Sequence, residues 1–318
     1  MVAVAKERGE SWLKRYGDTL SSEFAIPKLL ETLEKDPEVY HEMKHFVDAV
    51  DWIVWQLTGT YVRSAGATGY KSLFQDGQFP SKEYFKALNP EFENAVEEKL
   101  EAPVGQLGDK AGELTAEAAA WTGLKAGIPV AVGNIDAHVT APACQAVENG
   151  QLTAILGTSS VYVVSGADLV EVPGMFGVVD GGLVKGSWGF EGGQSAVGDI
   201  FAWFTKNCVP PAYHDAAAGR GISIHELLTE KAAEQEIGEH GLVAIDWHNG
   251  NRSILGDSNL SVVIGGQTLV TTPEDQYRAL LEATAFGLRE IIEAFQKGNV
   301  EITEVVAAGG LLKNKFLM

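Results

Sequence analysis

Asp136 has a side chain and a position suited to acid–base chemistry. It follows residues 128–132, an apolar run that predicts a buried strand, with Gly133 in between. This predicts a carboxylate at the carboxyl end of a sheet strand, where open α/β sheets bind ligands. Such a carboxylate can take a proton from a substrate hydroxyl, as the base does in phosphoryl transfer. The alternative, an Asp that caps the following helix, is the more common outcome, and a base can also cap.

Two glycine-containing turns are candidates for phosphate binding. Residues 152–156 and 161–164 predict a hairpin whose tip, Gly157-Thr158-Ser159, offers backbone N–H groups and hydroxyls. A predicted strand at residues 305–308 leads into Gly309-Gly310, where a flat ring or a phosphate can approach the backbone closely. For either turn alone, an ordinary polar or tight turn is the more common explanation. Neither GxxxxGK[ST] nor GxGxxG occurs in the sequence.

Three further side chains are candidates for contacts with a polar ligand. Lys71 and Glu191 lie beside glycines and aromatic residues, and both can bind sugar hydroxyls. Each taken alone is more commonly a solvated surface charge. His138, two residues after Asp136, is a candidate for the same pocket as Asp136.

The composition narrows the classes of function. The 318 residues suffice for about two domains. A formal net charge of -19 argues against a nucleic-acid partner or an anionic membrane surface. Cys144 and Cys208 have no CxxC partner, so we expect reduced thiols and no metal site. No run is long and apolar enough for a membrane span, and residues 1–5 are too short for a signal peptide, so we expect a cytoplasmic protein.

The elements that must position these residues alternate between strand and helix, which predicts an α/β fold. Residues 60–79 favour strand and turn, and residues 175–179 and 183–185 favour two strands around a second turn. The turn Glu148-Asn149-Gly150 indicates a boundary between domains of residues 1–149 and 150–318.

The clearest helix prediction covers residues 273–297. Thr272 suits the N-cap, Pro273 the first helical position and Asp275 the acidic position of a capping box. Gly298 follows the last turn. The expected buried stripe consists of Tyr277, Leu281, Leu288, Ile292 and Phe295.

Several strings, taken in their order along the chain, carry a resemblance to a known family. They include Gly133-Asn134-Ile135-Asp136-Ala137-His138, Leu156-Gly157-Thr158-Ser159, Glu191-Gly192-Gly193-Gln194-Ser195, Asp246-Trp247 and Gly266-Gln267-Thr268-Leu269. With them the chain resembles the L-ribulokinases of the FGGY carbohydrate kinase family over nearly its whole length. The resemblance implies a two-domain sugar kinase of the actin-like ATPase, ribonuclease H-like fold, with the sugar on the first domain and ATP on the second.

The resemblance also implies a role for each candidate residue. Asp136 would be the general base, and Lys71, Glu191 and Asp136 would hold sugar hydroxyls. The turn Gly157-Thr158-Ser159 would bind phosphate. Three residues would approach the adenosine: Gly309, Gly310 and Asn314.

The implied reaction is the phosphorylation of L-ribulose by Mg-ATP, a step of L-arabinose catabolism, in a protein that could form a homo-oligomer. Two alternatives stay open: another pentulose or pentitol kinase such as a xylulokinase, and a non-catalytic sugar-binding protein. The Asp-x-Gly-[Thr/Ser] hairpin of the family does not occur before Asp136. We therefore expect an incomplete fold that begins inside the first domain and ends inside the second. Little kinase activity and exposed sheet edges should follow.

Overall fold

The computed structural model describes all residues from Met1 to Met318. Helices and strands interleave along the chain. The helices are α1 (Val2–Arg8), α2 (Ala25–Lys35), α3 (Pro37–Glu42), α4 (Ala49–Thr58), α5 (Ala65–Ser72), α6 (Lys82–Leu88), α7 (Ala116–Thr122), α8 (Asp136–Ala143), α9 (Gly198–Asn207), α10 (Pro211–Arg220), α11 (Ile224–Ala232) and α12 (Pro273–Lys297). None of them has the combination of length and apolar character that a membrane crossing requires.

The strands are β1 (Arg63–Ser64), β2 (Val104–Gly105), β3 (Lys110–Glu113), β4 (Pro129–Ala131), β5 (Gln151–Leu156), β6 (Ser160–Gly166), β7 (Gly177–Asp180), β8 (Trp188–Gln194), β9 (Val243–Ala244), β10 (Ile264–Gly265) and β11 (Glu304–Ala308). The largest sheet has five strands in the order β11-β5-β6-β8-β7. Strands β7 and β8 are antiparallel, with Gly177 opposite Glu191.

The chain forms two compact units. The first unit contains Met1–Leu152, Val163–Glu191 and Gly298–Glu304, and the second contains Thr153–Tyr162, Gly192–Lys297 and Val305–Met318. The predicted boundary between residues 149 and 150 stays a prediction.

The core of the first unit is rich in aromatic side chains. Phe24 contacts the edges of both Tyr16 and Phe176, with ring centroids 6.0 and 5.1 Å away. Phe85 and Phe92 lie within the same cluster and are fully buried. Rings packed edge to face add about 0.5–1.5 kcal/mol per pair to the burial of their area.

The core of the second unit forms where α9, α11 and α12 pack together. Phe201 and Phe204 of α9 contact Tyr277 of α12, and Leu228 of α11 completes the cluster. The predicted bounds of α12 are confirmed, and Thr272 and Asp275 form the predicted reciprocal cap.

The predicted buried stripe of α12 is only partly correct. Tyr277, Leu281 and Phe295 are buried, but Leu288 and Ile292 are half-buried. Leu280 and Ile291 are buried instead. The helix packs against α9, α11 and β9, so its buried residues are not confined to one stripe.

Three local predictions are wrong. Residues 65–72, expected as strand and turn, form the buried helix α5. Residues 128–132, expected as a buried strand, give β4, whose residues Pro129 and Ala131 are exposed. It pairs antiparallel with β3, so Asp136 does not follow a strand of the large sheet. The second strand, expected at residues 183–185, begins later, at Trp188 of β8, because residues 181–187 form a longer turn than predicted.

Candidate functional site

Lys71 lies on α5, a helix made mostly of small residues. A Cβ atom at Gly66 would lie 2.3 Å from Oδ1 of Asn134, and one at Gly69 would lie 2.3 Å from Cγ1 of Val179. The two glycines therefore let the backbone of α5 approach its neighbours closely. Ser64 caps the helix by accepting a hydrogen bond from the N–H of Ala67.

Glu191 is a buried carboxylate rather than a surface charge. It lies on β8 and is 2% exposed. Its Oε2 lies 2.9 Å from Nε2 of His138, and its Oε1 lies 3.8 Å from Nζ of Lys71. The structure thus brings together three of the candidates for binding a polar ligand. Lys71 is less buried than Glu191, because 26% of its side chain is exposed.

The ammonium group of Lys71 is held by aromatic faces as well as by charge. Nζ lies 5.3 Å from the ring centroid of Phe24 and 5.1 Å from that of Phe176. Such contacts attract a cation by about 0.5–2 kcal/mol. Because Phe176 also donates its backbone N–H to the carbonyl of Glu191, one segment positions both charged groups.

Asp136 is the first residue of α8, and its side chain is exposed. Its Oδ1 accepts a hydrogen bond from the N–H of Ala137 in the first turn, whereas the N-cap position belongs to Ile135, which makes no side-chain cap bond. A carboxylate is also favoured there by the helix dipole. A role at the helix start and a role as base are therefore compatible.

His138 does not share the exposed face of Asp136. Two residues along a helix turn the side chain by about 200°, and His138 is 1% exposed. Asn134, just before the helix, donates to the carbonyl of Gly182 at 2.7 Å and accepts from the N–H of Ile135. This pair of bonds fixes the segment that leads into Asp136.

In the second unit, the turn Gly157-Thr158-Ser159 is braced by the start of α9. The N–H groups of Val197 and Asp199 both donate to the carbonyl of Thr158, and that of Gly198 donates to the carbonyl of Gly157. A Cβ atom at Gly198 would lie 2.8 Å from the oxygen of Gly157. The start of α9 therefore occupies these carbonyl groups as hydrogen-bond acceptors. Thr158 itself is exposed.

Gly309 lies against the residue that precedes this turn. Its φ is 103°, and a Cβ atom there would lie 2.3 Å from the backbone oxygen of Leu156. Gly310 begins a short 3₁₀ helix, Gly310–Lys313. Because β11 neighbours β5 in the sheet, the two glycine-containing turns follow adjacent strands.

Asn314 forms hydrogen bonds within its own segment and to α11. Its Oδ1 accepts from the N–H groups of Phe316 and Leu317, and its Nδ2 donates to Oγ1 of Thr229 at 3.3 Å. The contact with adenosine stays a prediction.

A further polar cluster was not predicted from the sequence. Gln194 accepts a hydrogen bond from the hydroxyl of Tyr162 and donates to Asp246 and to the carbonyl of Thr284. Burial raises the pKa of Asp246, and the hydrogen bond from Gln194 opposes that shift. Gln194 and Asp246 line a pocket of about 420 Å³ together with Trp247. Gln194 and Asp246-Trp247 both belong to the strings that carry the resemblance, but neither was given a role from the sequence.

Comparison with known protein families identifies two matching regions. Residues 4–142 match the N-terminal domain of the FGGY family of carbohydrate kinases, and residues 152–318 match its C-terminal domain. The chain is 60% identical over 316 residues to a ribulokinase of Mycolicibacterium smegmatis and 48% identical over 318 residues to one of Geobacillus thermodenitrificans. It covers 56% of the length of each, and each match covers 99% of the chain.

Solved structures show the same fold. The xylulose kinase from Rhodospirillum rubrum matches 99% of the chain with a TM-score of 0.79 at 24% identity, and 62% of that protein is covered. Plasmodium falciparum glycerol kinase with ADP matches 99% of the chain with a TM-score of 0.76 at 17% identity, again over 62% of its own chain. The predicted α/β fold of the sugar kinases is confirmed by these likenesses.

Proposed function

Because the chain belongs to the FGGY family of carbohydrate kinases, we propose that it carries sugar-binding and phosphate-binding residues of an ATP-dependent L-ribulose kinase. The reaction would transfer the γ-phosphoryl group of ATP to the terminal hydroxyl of L-ribulose, giving L-ribulose 5-phosphate and ADP. The observation that supports this most is the pairing of partly exposed Lys71 with buried Glu191. The choice of sugar rests on relatives called ribulokinase at 60% and 48% identity.

Lys71 and Glu191 are assigned to the sugar. The 3.8 Å between Nζ and Oε1 is longer than a hydrogen bond, so the two groups are not locked onto each other. A sugar hydroxyl can donate to the carboxylate and accept from the ammonium at once. A polyol with fixed stereochemistry would form hydrogen bonds to both Lys71 and Glu191 in a single orientation of the bound molecule.

Asp136 is assigned as the general base. Its exposed carboxylate can accept the proton of the attacking hydroxyl as the oxygen bonds to the γ-phosphorus. The bond from the γ-phosphorus to the bridging oxygen breaks, and ADP leaves with that oxygen on its β-phosphate. Asp136 can also accept a hydrogen bond from the bound sugar before transfer, so it belongs to the sugar-binding set.

The glycine-containing turns are assigned to the nucleotide. With the carbonyls of Gly157 and Thr158 bonded to α9, the N–H groups of Thr158 and Ser159 are the donors proposed for phosphate oxygens. Gly309 and Gly310 would allow the nucleotide to approach the backbone, with Asn314 beside the adenosine. Mg²⁺ would enter bound to the phosphates of ATP. The described residues contain no cluster of three carboxylate, histidine or cysteine ligands for it, so we assign no step to the ion.

Isothermal calorimetry with a panel of sugars tests the sugar site. We expect L-ribulose to bind more tightly than D-xylulose or ribitol. Lys71→Met should weaken L-ribulose binding about tenfold or more, since it removes a charged hydrogen-bond partner. Lys125→Met, at an exposed lysine, is the matched control and should bind as the wild type does. Equal affinity for all three sugars, or an unaffected Lys71→Met variant, would contradict the proposal.

A further inference from the structure

His138 is a buried side chain that contacts the carboxylate of Glu191. Its Nε2 lies 2.9 Å from Oε2 of Glu191, and the ring is 1% exposed. Because Oε1 of the same carboxylate faces Lys71, the two oxygens of Glu191 have different neighbours. His138 lies on the interior side of the carboxylate, and Lys71 lies on its partly exposed side.

The surroundings of His138 select one tautomer. Beside the Lys71 ammonium, Glu191 acts as a carboxylate, which accepts hydrogen bonds and donates none. Nε2 must then carry the proton of this bond. Nδ1 is buried without a hydrogen-bond partner. A second proton there would leave an N–H donor buried without an acceptor, which is costly. The geometry therefore assigns His138 the tautomer with its proton on Nε2.

Tyr70 fixes the plane of the His138 ring. The two ring centroids are 4.4 Å apart with an interplanar angle of 60°. Tyr70 itself is enclosed by glycines: Cβ atoms at Gly177, Gly182 and Gly189 would each lie within 2.8 Å of its side chain. A ring enclosed this closely cannot shift without moving β7 and β8. The packing around Tyr70 and His138 thus fixes the direction of the hydrogen bond to Glu191.

We infer that His138 is a positioning residue for sugar binding: it fixes the Glu191 carboxylate so that Oε1 is presented to a sugar hydroxyl beside Lys71. This inference rests on the proposed function, because it assigns the sugar to that carboxylate. His138 does not touch the sugar, so its effect should appear in sugar affinity and leave the chemical step unchanged. Buried partners of this kind commonly tune the groups that bind a ligand directly.

Two substitutions separate positioning from packing. His138→Gln retains an N–H donor at about the reach of Nε2, whereas His138→Met fills the space without a donor. We expect His138→Met to raise the Kd for L-ribulose about tenfold by calorimetry and His138→Gln to restore most of the affinity. Glu191→Gln, the reference for loss of the carboxylate, should weaken binding at least as much as His138→Met.

Nitrogen-15 NMR of the wild-type chain, without sugar, gives a readout that folding of the variants cannot affect. We expect the His138 signals of a neutral ring protonated at Nε2. A ring protonated at Nδ1, or equal sugar affinity in His138→Met and the wild type, would overturn the inference while leaving the L-ribulose proposal intact. If the wild type binds no L-ribulose, the proposed function fails, and with it the role of His138 toward a sugar. The NMR result then still decides whether His138 donates to Glu191.

Discussion

Gly309 lies so close to Leu156 that a side chain does not fit between them. An added Cβ atom would lie 2.3 Å from the backbone oxygen of Leu156, and the φ of 103° lies in a region that residues other than glycine rarely adopt. Leu156 immediately precedes the turn assigned to phosphate. The contact therefore ties the end of β11 to that turn.

Gly309→Ala should destabilise the second unit. The backbone conformation alone costs about 1–3 kcal/mol, and the contact with Leu156 adds to that. Thermal unfolding measures the loss. Gly310→Ala is the stability control, because a Cβ atom there meets nothing within 4 Å. Equal unfolding temperatures for the two variants would contradict this account of Gly309.

Two helical glycines should respond to alanine in opposite directions. Gly66→Ala on α5 places a Cβ atom 2.3 Å from Asn134 and should cost about 1–3 kcal/mol as overpacking. Gly219→Ala on α10 enters open space and should stabilise the chain by up to about 1 kcal/mol. Urea unfolding of both variants measures the difference. A neutral Gly66→Ala variant would show that α5 can move away from Asn134.

Asp136→Asn should separate binding from catalysis. The amide oxygen can keep the bond from the N–H of Ala137 but cannot take a proton from the sugar. Turnover of L-ribulose by the proposed kinase should fall about 10²–10⁴-fold. Sugar affinity, measured by calorimetry, should largely remain. Undiminished turnover would remove Asp136 from the role of base and favour a role at the helix start alone.

Asp51 should make stability depend on pH. Burial, with a smaller contribution from Asp48, raises the pKa of Asp51 to about 6 in the folded chain. Between pH 4 and pH 6 the folded state therefore holds a proton that the unfolded state has lost, so the unfolding free energy falls as pH rises. The decrease should total about 3 kcal/mol.

The control for Asp51 is its amide variant. Asp51→Asn can keep an oxygen for the N–H of Ser64 and has no proton to lose. Its unfolding free energy, from urea titrations at several pH values, should fall less between pH 4 and pH 6 than that of the wild type. Identical slopes would show that Asp51 is not the group responsible.

The sequence predicts elements well where the signals are local. The bounds of α12 follow from Thr272, Pro273 and Gly298, which act on the backbone next to them. Helix α5 was missed because glycine and alanine give little periodicity, and its stability depends on distant partners such as Asn134. The exposure of β4 was missed because an apolar run does not reveal which strand it will pair with.

The candidate site shows the same difference between local signals, which the sequence reveals, and long-range contacts, which it does not. Asp136, Lys71 and Glu191 could be chosen from residue type and from the resemblance, but the pairing of Lys71 with Glu191 is a tertiary contact. The bond from His138 to Glu191 spans 53 residues, so no local pattern could reveal it. The same is true of Gln194 and Asp246, 52 residues apart.

The hydrogen bonds from α9 to the Gly157-Thr158-Ser159 turn have a mechanical consequence. Three backbone donors at the start of the helix hold two carbonyls of the turn, so a displacement of the turn would strain these bonds unless the helix start moved with it. A nucleotide that displaced the turn would also displace the start of α9. Because Phe201 and Phe204 of α9 contact Tyr277, that displacement would reach α12. Phosphate binding at the turn, as proposed, would then bear on the longest helix of the chain.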